Sequence, residues 1–245
     1  MIQRAPTFPR HIPFGLSLIA GFIDAVIFLA LFGLYVAQAT GSFVAIGAHW
    51  LQPEPGFLVK VLAIPIFLLG GIIAAVIVET MPGRRRAALL RTLAIEEVLL
   101  FGLLVAGLTT LPAKHPDDPG ALFAALCGLG AMGLQSALVR LLVPGFGSTN
   151  VMTNNTTVVA IDLTHTALAW FKRGRGQAMR FKDARGKLAN SLTVIAGFLA
   201  GAVCGAFAFN HIGLWSLLVP LLLIDAVGAS IWFNLPADKP EKPAH

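Results

Sequence analysis

The most chemically loaded position in this chain is Asp24, ten residues into an apolar run that extends from Phe14 to Tyr35. In a lipid-embedded helix a carboxylate at that depth is costly unless it is paired, hydrated or protonated, and such groups commonly carry ions or anchor substrates. Asp24 is therefore expected to couple a proton or cation, or to hold a solute. A neutral acid hydrogen-bonded to a neighbouring helix is the purely structural alternative. Two polar triplets, Thr40-Gly41-Ser42 and Thr153-Asn154-Asn155, each open a short apolar segment. Hydroxyl and amide side chains in such places cap bare backbone N–H groups. The same positive helix end can instead receive an anion or a polar solute.

Gln135 lies deep in another apolar run and is expected to face Asp24. Arg140, one turn from that run's end, either reaches the interface or pairs with Asp24 or a substrate anion. Asp225, about halfway along the last apolar run, is a secondary candidate on the same grounds as Asp24. Asp162 is another, sharing a helix face with His165 three residues on. One acid and one histidine make a poor ligand set, so no metal site is expected. Glu96 and Glu97, adjacent near the start of a third run, are explained by an interfacial position.

These residues must be positioned by a pattern that occurs twice. A full-length apolar segment runs into a short polar stretch, and a cramped apolar segment follows at once. The first instance is Phe14 to Tyr35, then Ala39-Thr40-Gly41-Ser42, then Phe43 to Leu51. The second is Ala121 to Val143, then Pro144 to Asn155, then Thr156 to Phe171. Irregular polar backbone at membrane depth survives only where protein or water surrounds it, and paired interruptions in two halves point to a transporter's binding site.

Hydrophobic residues make up 56% of the 245 and charged residues 12%, and the mean hydropathy is +0.79. A soluble domain carries roughly a quarter charged residues, so lipid is the main solvent. The further runs Phe57–Val78, Leu93–Leu111, Leu188–Phe209 and Leu214–Leu235 are each near the ~20 residues that cross a bilayer. The expected fold is all-α: about six transmembrane helices and two short re-entrant or broken helices, in one domain spanning residues 1–245. Repeat one covers about 14–111, repeat two about 121–235, and 236–245 forms a disordered tail.

The net charge of +6 is concentrated in clusters at Arg84, Arg85, Arg86 and Arg91, from Lys172 and Arg173 to Lys187, and at Arg4 and Arg10. Short basic loops mark the cytoplasmic side, which explains the charge without nucleic acid. With both termini cytoplasmic, six spans keep every basic cluster inside. A seventh span at Thr156–Phe171 would expel the most basic one. Three spans per half then place the halves in opposite orientations, as an inverted repeat. The apolar run before Ala37-Gln38-Ala39 is too long for a cleaved signal and carries Asp24. Cys127 and Cys204 show no metal-ligand spacing and are read as buried thiols. Gly197, Gly201 and Gly205, with Gly70 and Gly71 at the matching place in the first half, form ridges for close helix packing.

At these motifs the chain resembles the YoaK-like bacterial membrane proteins, a family catalogued as a domain of unknown function. The first half of the signature corresponds to Gly21-Phe22-Ile23-Asp24-Ala25 and Thr40-Gly41-Ser42, with Ser42 in place of the usual asparagine. The second corresponds to Gly133-Leu134-Gln135-Ser136-Ala137, Arg140, and Ser148-Thr149 leading to Val151-Met152-Thr153-Asn154-Asn155, with Asn154 in place of glycine. The resemblance covers nearly the whole chain and implies a multi-pass protein of the bacterial inner membrane, of small-transporter type.

No His-Glu-x-x-His helix, Gly-x-Ser-x-Gly elbow or phosphate-binding glycine-lysine loop is present, so no catalytic residue and no cofactor are assigned. The expected function is a small secondary transporter or permeation pathway for a polar or anionic solute, proton-coupled through Asp24. The two short-helix N-termini are expected to meet near the midplane and hold the solute. The alternative is an integral membrane scaffold or regulatory subunit that assembles through its glycine ridges. The partners implied are the lipid bilayer, the solute and, from the size of a six-span body, a second copy in a homodimer.

Overall fold

Long apolar runs with few helix breakers can satisfy their backbone in lipid only as helices. The computed structural model describes residues 9–52, 54–113, 115–147, 152–171, 178–236 and 238. Among them every regular element is helical: α1 (His11–Ala30), α2 (Gly41–His49), α3 (Phe57–Glu79), α4 (Arg85–Thr110), α5 (Pro119–Leu142), α6 (Met152–Phe171), α7 (Ala178–Ile212) and α8 (Leu218–Asn234). A 3-10 turn, Gly213–Leu217, joins the last two. Four stretches are long and apolar enough to cross a membrane: α1, α3, α5 and the continuous Ala184–Asn234. The chain thus has the build of a helical membrane protein. α4 has the length, but Arg85, Arg86, Arg91, Glu96 and Glu97 lower its hydropathy.

Hydrogen bonds define two ends of the bundle. At the basic end, Arg85 at the start of α4 donates to the Leu142 carbonyl at the end of α5 (Nε–O 2.9 Å). There too, Arg10 donates to Asn190 (3.2 Å) and Asn190 donates to the Gly145 carbonyl (3.1 Å). At the opposite end, the Gly56 amide donates to Asp117 (2.8 Å), tying the loop before α3 to the loop before α5. Gly56 has φ +85°, a conformation that favours glycine. Asp238 returns to the basic end, where its two oxygens accept the Arg86 and Ala87 amides (2.9 Å each) and cap α4. The start of the expected disordered tail is therefore docked at Asp238, because α4 lacks a cap of its own.

α1 and α5 are the inner helices, with 67% and 72% of their apolar windows buried, against 17% for α3 and 22% for the α7–α8 stretch. The outer helices show large aliphatic side chains such as Leu68, Ile72, Leu199 and Val203 to the surroundings. Lipid is the solvent such a surface calls for.

Glycines let backbones touch at two places. A Cβ added at Gly197 would lie 2.7 Å from the Phe14 carbonyl oxygen, and one at Gly205 would lie 2.6 Å from that of Phe22. Gly201 abuts the Leu18 carbonyl and Gly21 that of Phe198 more closely still. Numbers rise together along both helices, so α1 and α7 run in the same direction. Between α5 and α3 the contact recurs: Gly133 abuts the Phe67 carbonyl and Gly70 abuts the Gly130 carbonyl. Ile66 lies near Gly130 and Gly71 near Ala137, so numbers rise together here too and these helices are parallel. The expected small-residue ridges are thus used inside the chain.

α6 packs on α7. Ser191 of α7 donates to Asp162 in the middle of α6 (3.0 Å), one residue from Asn190 at the basic end. The first half of α6 therefore lies alongside the bundle and its second half projects beyond it. α7, with 35 residues, spans about 52 Å at ~1.5 Å per residue, long enough to accompany it. Threonines 156, 157, 164 and 166 return their hydroxyls to carbonyls four residues back, which satisfies them on a helix of mixed polarity.

The two faces of the α3–α5 contact give a direct test. Gly70→Ala should destabilise the protein by about 1–3 kcal/mol through overpacking against backbone. Gly71→Ala, where an added Cβ meets nothing nearer than 3.8 Å, should change stability by no more than about 0.5 kcal/mol. Reversible unfolding in mixed micelles measures both.

Candidate functional site

The first half reverses sooner than its apolar pattern suggests. α1 ends at Ala30, and the chain turns through Phe32 (φ +52°) and Gly33 (φ +77°). The Gly33 amide donates to the Phe28 carbonyl (3.0 Å) and Leu34 to Leu31 (3.0 Å), closing the turn. The Phe28 and Tyr35 rings pack 4.8 Å apart across it. Residues expected as the last turn of a span are therefore already returning. A run such as Leu31-Phe32-Gly33-Leu34-Tyr35 is apolar in either geometry, so composition alone did not separate the two.

Asp24 fixes how far the chain returns. Its Oδ1 accepts the Val36 and Ala37 amides, both at 2.8 Å, and the residue is 4% exposed. Asp24 lies 13 residues into α1, about 20 Å from its start at ~1.5 Å per residue. Two bare amides at that depth would be costly, and one carboxyl oxygen satisfies both. The partner of Asp24 is the backbone of the segment that folds back after α1, not a side chain of another helix.

Two cavities adjoin this segment. The first, about 290 Å³, lies between the turn, α2 and the start of α3, and is lined by Tyr35, Gln38, Gly41, Ser42, Gly56 and Lys60 among others. The second, about 260 Å³, lies between α1 and α7 and is lined by Gly21, Asp24, Phe28, Phe198 and Ala202, again with Tyr35 and Gln38. Tyr35 and Gln38 thus line both cavities. The sequence reading did not single out Tyr35, Gln38 or Lys60. Gln38 directly precedes the polar interruption, and Lys60 is the one cation within the Phe57–Val78 run; both are visible signals.

The start of α2 differs from the expected open helix end. Thr40 has helical dihedrals and makes no side-chain cap. The amides of Gly41, Ser42 and Phe43 donate to the carbonyls of Gln38, Ala39 and Thr40 at 3.0–3.2 Å. These donors are engaged within the turn, so the site's polar groups are side chains. Ser42 is buried, while Thr40 and Gly41 are exposed.

In the second half, Ser148, Thr149, Asn150 and Val151 lie outside the described residues, as do Arg4, Lys172, Arg173 and Arg175. Thr153, Asn154 and Asn155 fall inside the first turn of α6, with Thr153 and Asn154 exposed. Asn155 is buried against Gly147, where an added Cβ would meet its side chain. α2 packs on α3 and α6 packs on α7; the two do not touch among the described residues. The expected meeting of their N-termini is therefore not found, because each helix is held by the outer helix that follows it.

The remaining candidates are dispersed. Gln135 donates to the Leu16 carbonyl of α1 (2.6 Å) rather than facing Asp24, which sits about two turns deeper along α1. Arg140 is exposed in the last turn of α5 at the basic end, consistent with an interfacial reach. Asp162 is bonded to Ser191, and His165 is exposed. Cys127 is buried, but Cys204 is exposed. Asp225 is exposed on α8 and is the charged group that acts on Glu97 of α4. Glu96 departs most from expectation: it is fully buried, and among the described residues neither carboxyl oxygen has a hydrogen-bond partner. Its place on the stripe Leu89, Leu93, Leu100, Leu103 turns it into the core. Among the described residues no group of three metal-ligating side chains occurs.

Removing the Asp24 carboxyl should leave two buried amides without an acceptor. Asp24→Ala is expected to cost about 2–6 kcal/mol, from ~1–3 kcal/mol per orphaned group. Asp24→Asn retains a carbonyl acceptor and should lose less. Micellar unfolding gives the ranking, and increased labelling of a cysteine placed at Val36 reports release of the segment.

No curated protein and no solved structure matches this chain. A family described as proteins of unknown function, DUF1275, matches residues 12–230. That match takes in every helix described above except the first residue of α1 and the last four of α8, and the chain belongs to this family.

Proposed function

We propose that the protein is a small secondary transporter or permeation pathway for a polar or anionic solute, which crosses the Tyr35–Gln38 partition between the two cavities. The observation that carries this reading is that the same two side chains line both cavities, one beside α2 and the other beside Asp24. Volumes of about 290 and 260 Å³ fall just below the ~300 Å³ lower end of ligand pockets, which suits a small solute. Lys60 puts a positive charge on the cavity beside α2 and favours an anion there. Gln38 and Ser42 supply neutral hydrogen-bonding groups on the same wall.

The wider architecture is read as six crossings in two oppositely oriented repeats. Three observations support it: the reciprocal glycine contacts recur with the same three-residue spacings, Gly21 with Gly201 and Gly133 with Gly70. The pairing of α1 with α7 repeats in that of α5 with α3. Each half has one helix, α2 or α6, that reaches only part-way. Rocking of one repeat against the other would expose the partition to alternate sides. The basic end faces the cytoplasm in this reading, in the inner membrane of a bacterium. A scaffold that assembles through glycine ridges has less support, since those ridges face α1 and α5 of the same chain.

Proteoliposomes on a solid-supported membrane test the proposal with chloride, formate, acetate and phosphate as probes, alongside neutral polyols. At least one probe should give protein-dependent uptake. Lys60→Met should lower anion uptake about tenfold, the equivalent of ~1.4 kcal/mol, with neutral solutes unaffected. Gln38→Leu should lower both. No uptake above empty vesicles for any probe refutes the reading.

A further inference from the structure

A second carboxyl site lies away from the re-entrant segment. Glu96 is 11 residues from the start of α4 and 14 from its end, so it sits near the middle of the bundle. It occupies a core stripe otherwise filled by leucines, is 0% exposed, and has no hydrogen-bond partner for Oε1 or Oε2 among the described residues. Packing alone calls for another leucine there. A carboxylate with no donor in such a place is strongly disfavoured, and a proton on one oxygen removes the charge.

The next residue lies at the edge of the bundle. Glu97 is half-buried on the α8 side of α4, and Asp225, about halfway along α8, is the charged group acting on it. The elements packed on α4 are α3, α5, α8 and the 3-10 turn. Apart from Asp225, their titratable groups lie nearer the helix ends: Lys60 and Glu79 on α3, and Arg140 on α5. Cys127 of α5 is level with Gly102, about two turns from Glu96. No cation faces Glu96 at its depth among the described residues. The three carboxyls also do not form a metal-sized cluster, which leaves the proton as the ligand that fits.

We propose that Glu96 is a proton-binding site in the core of the bundle, exchanging with the surroundings through Glu97 and Asp225 at the α4–α8 contact. On loading, one Glu96 oxygen takes a proton and the carboxyl becomes neutral. On release, that proton passes to the Glu97 carboxylate and Glu96 is left ionised. Asp24, whose Oδ1 already holds two amides, is the anchor of the re-entrant segment. The proton coupling expected at Asp24 falls to Glu96 instead, and this inference depends on the transport reading only for its physiological meaning.

Infrared titration of the whole protein in liposomes, with no solute added, tests it. A protonated-carboxyl band should be present at neutral pH, bleach on alkalinisation while the helical amide signal persists, vanish in Glu96→Gln and survive in Asp24→Asn. Asp225→Asn, at an exposed position, should shift the pH at which the band bleaches, and serves where Glu96→Gln fails to fold. The proposal is overturned by a band that remains in Glu96→Gln, by its loss in Asp24→Asn instead, by no band, or by an Asp225→Asn titration identical to wild type. Failure of the uptake assay leaves the band untouched, so the two readings fall separately.

Discussion

Backbone amides cannot be left without acceptors in a hydrocarbon interior, and in the first half of this protein a single carboxyl oxygen meets that constraint. Asp24 Oδ1 accepts from Val36 and Ala37, which sets how deep the chain returns after α1. The depth of that return places Tyr35 and Gln38 beside two cavities and lets α2 run back along α3. Had α1 carried a leucine at this position, the segment would have had no acceptor at mid-depth. An acid that the sequence marks as a carrier of charge is thus a structural fixture, holding the segment whose Tyr35 and Gln38 line both cavities.

The second governing feature is backbone-to-backbone packing through glycine. In lipid there is little hydrophobic drive to bring helices together, and close approach supplies the attraction instead. Gly21, Gly197, Gly201 and Gly205 bring α1 and α7 into such contact, and Gly70 and Gly133 do so for α3 and α5. Each pair joins one inner and one outer helix. α4 and α8 then close the remaining sides, with α4 against α5, α8 against α1, and the two against each other. Asp238 adds a polar tie between the end of the chain's last helix and the start of α4.

Much of this was legible in the residues. Length and hydropathy mark the long helices, since an apolar run near 20 residues has few other outcomes. The glycine spacing at Gly197, Gly201 and Gly205 identifies a contact face, though not which helix meets it. The polar interruption at 39–42 coincides with the start of α2 at Gly41. Helix ends were less visible: the turn at 31–34 is as apolar as the helix before it. Glu96 shows a different limit. Beside Glu97 and a few residues after Arg91 it looks like part of a polar helix start, and only the packing of α4 on α5 and α8 shows that one glutamate points inward and the other toward the rim. Gln38 and Lys60 come together from separate elements, a convergence that spacing along the chain does not encode.

The two parallel pairs have very different separations along the chain. Ile66 of α3 lies near Gly130 of α5, whereas Phe14 of α1 waits for Gly197 of α7. During synthesis the α3–α5 pair can close while the later helices have yet to leave the ribosome. The glycine face of α1 stays unmatched until most of the protein has been made, since non-local contacts form late. In the interval its neighbours are lipid, or whatever chaperone or insertase occupies the place that α7 will take. Biogenesis of this protein therefore has a vulnerable stage, and its duration is set by how far apart in the gene two touching helices are encoded.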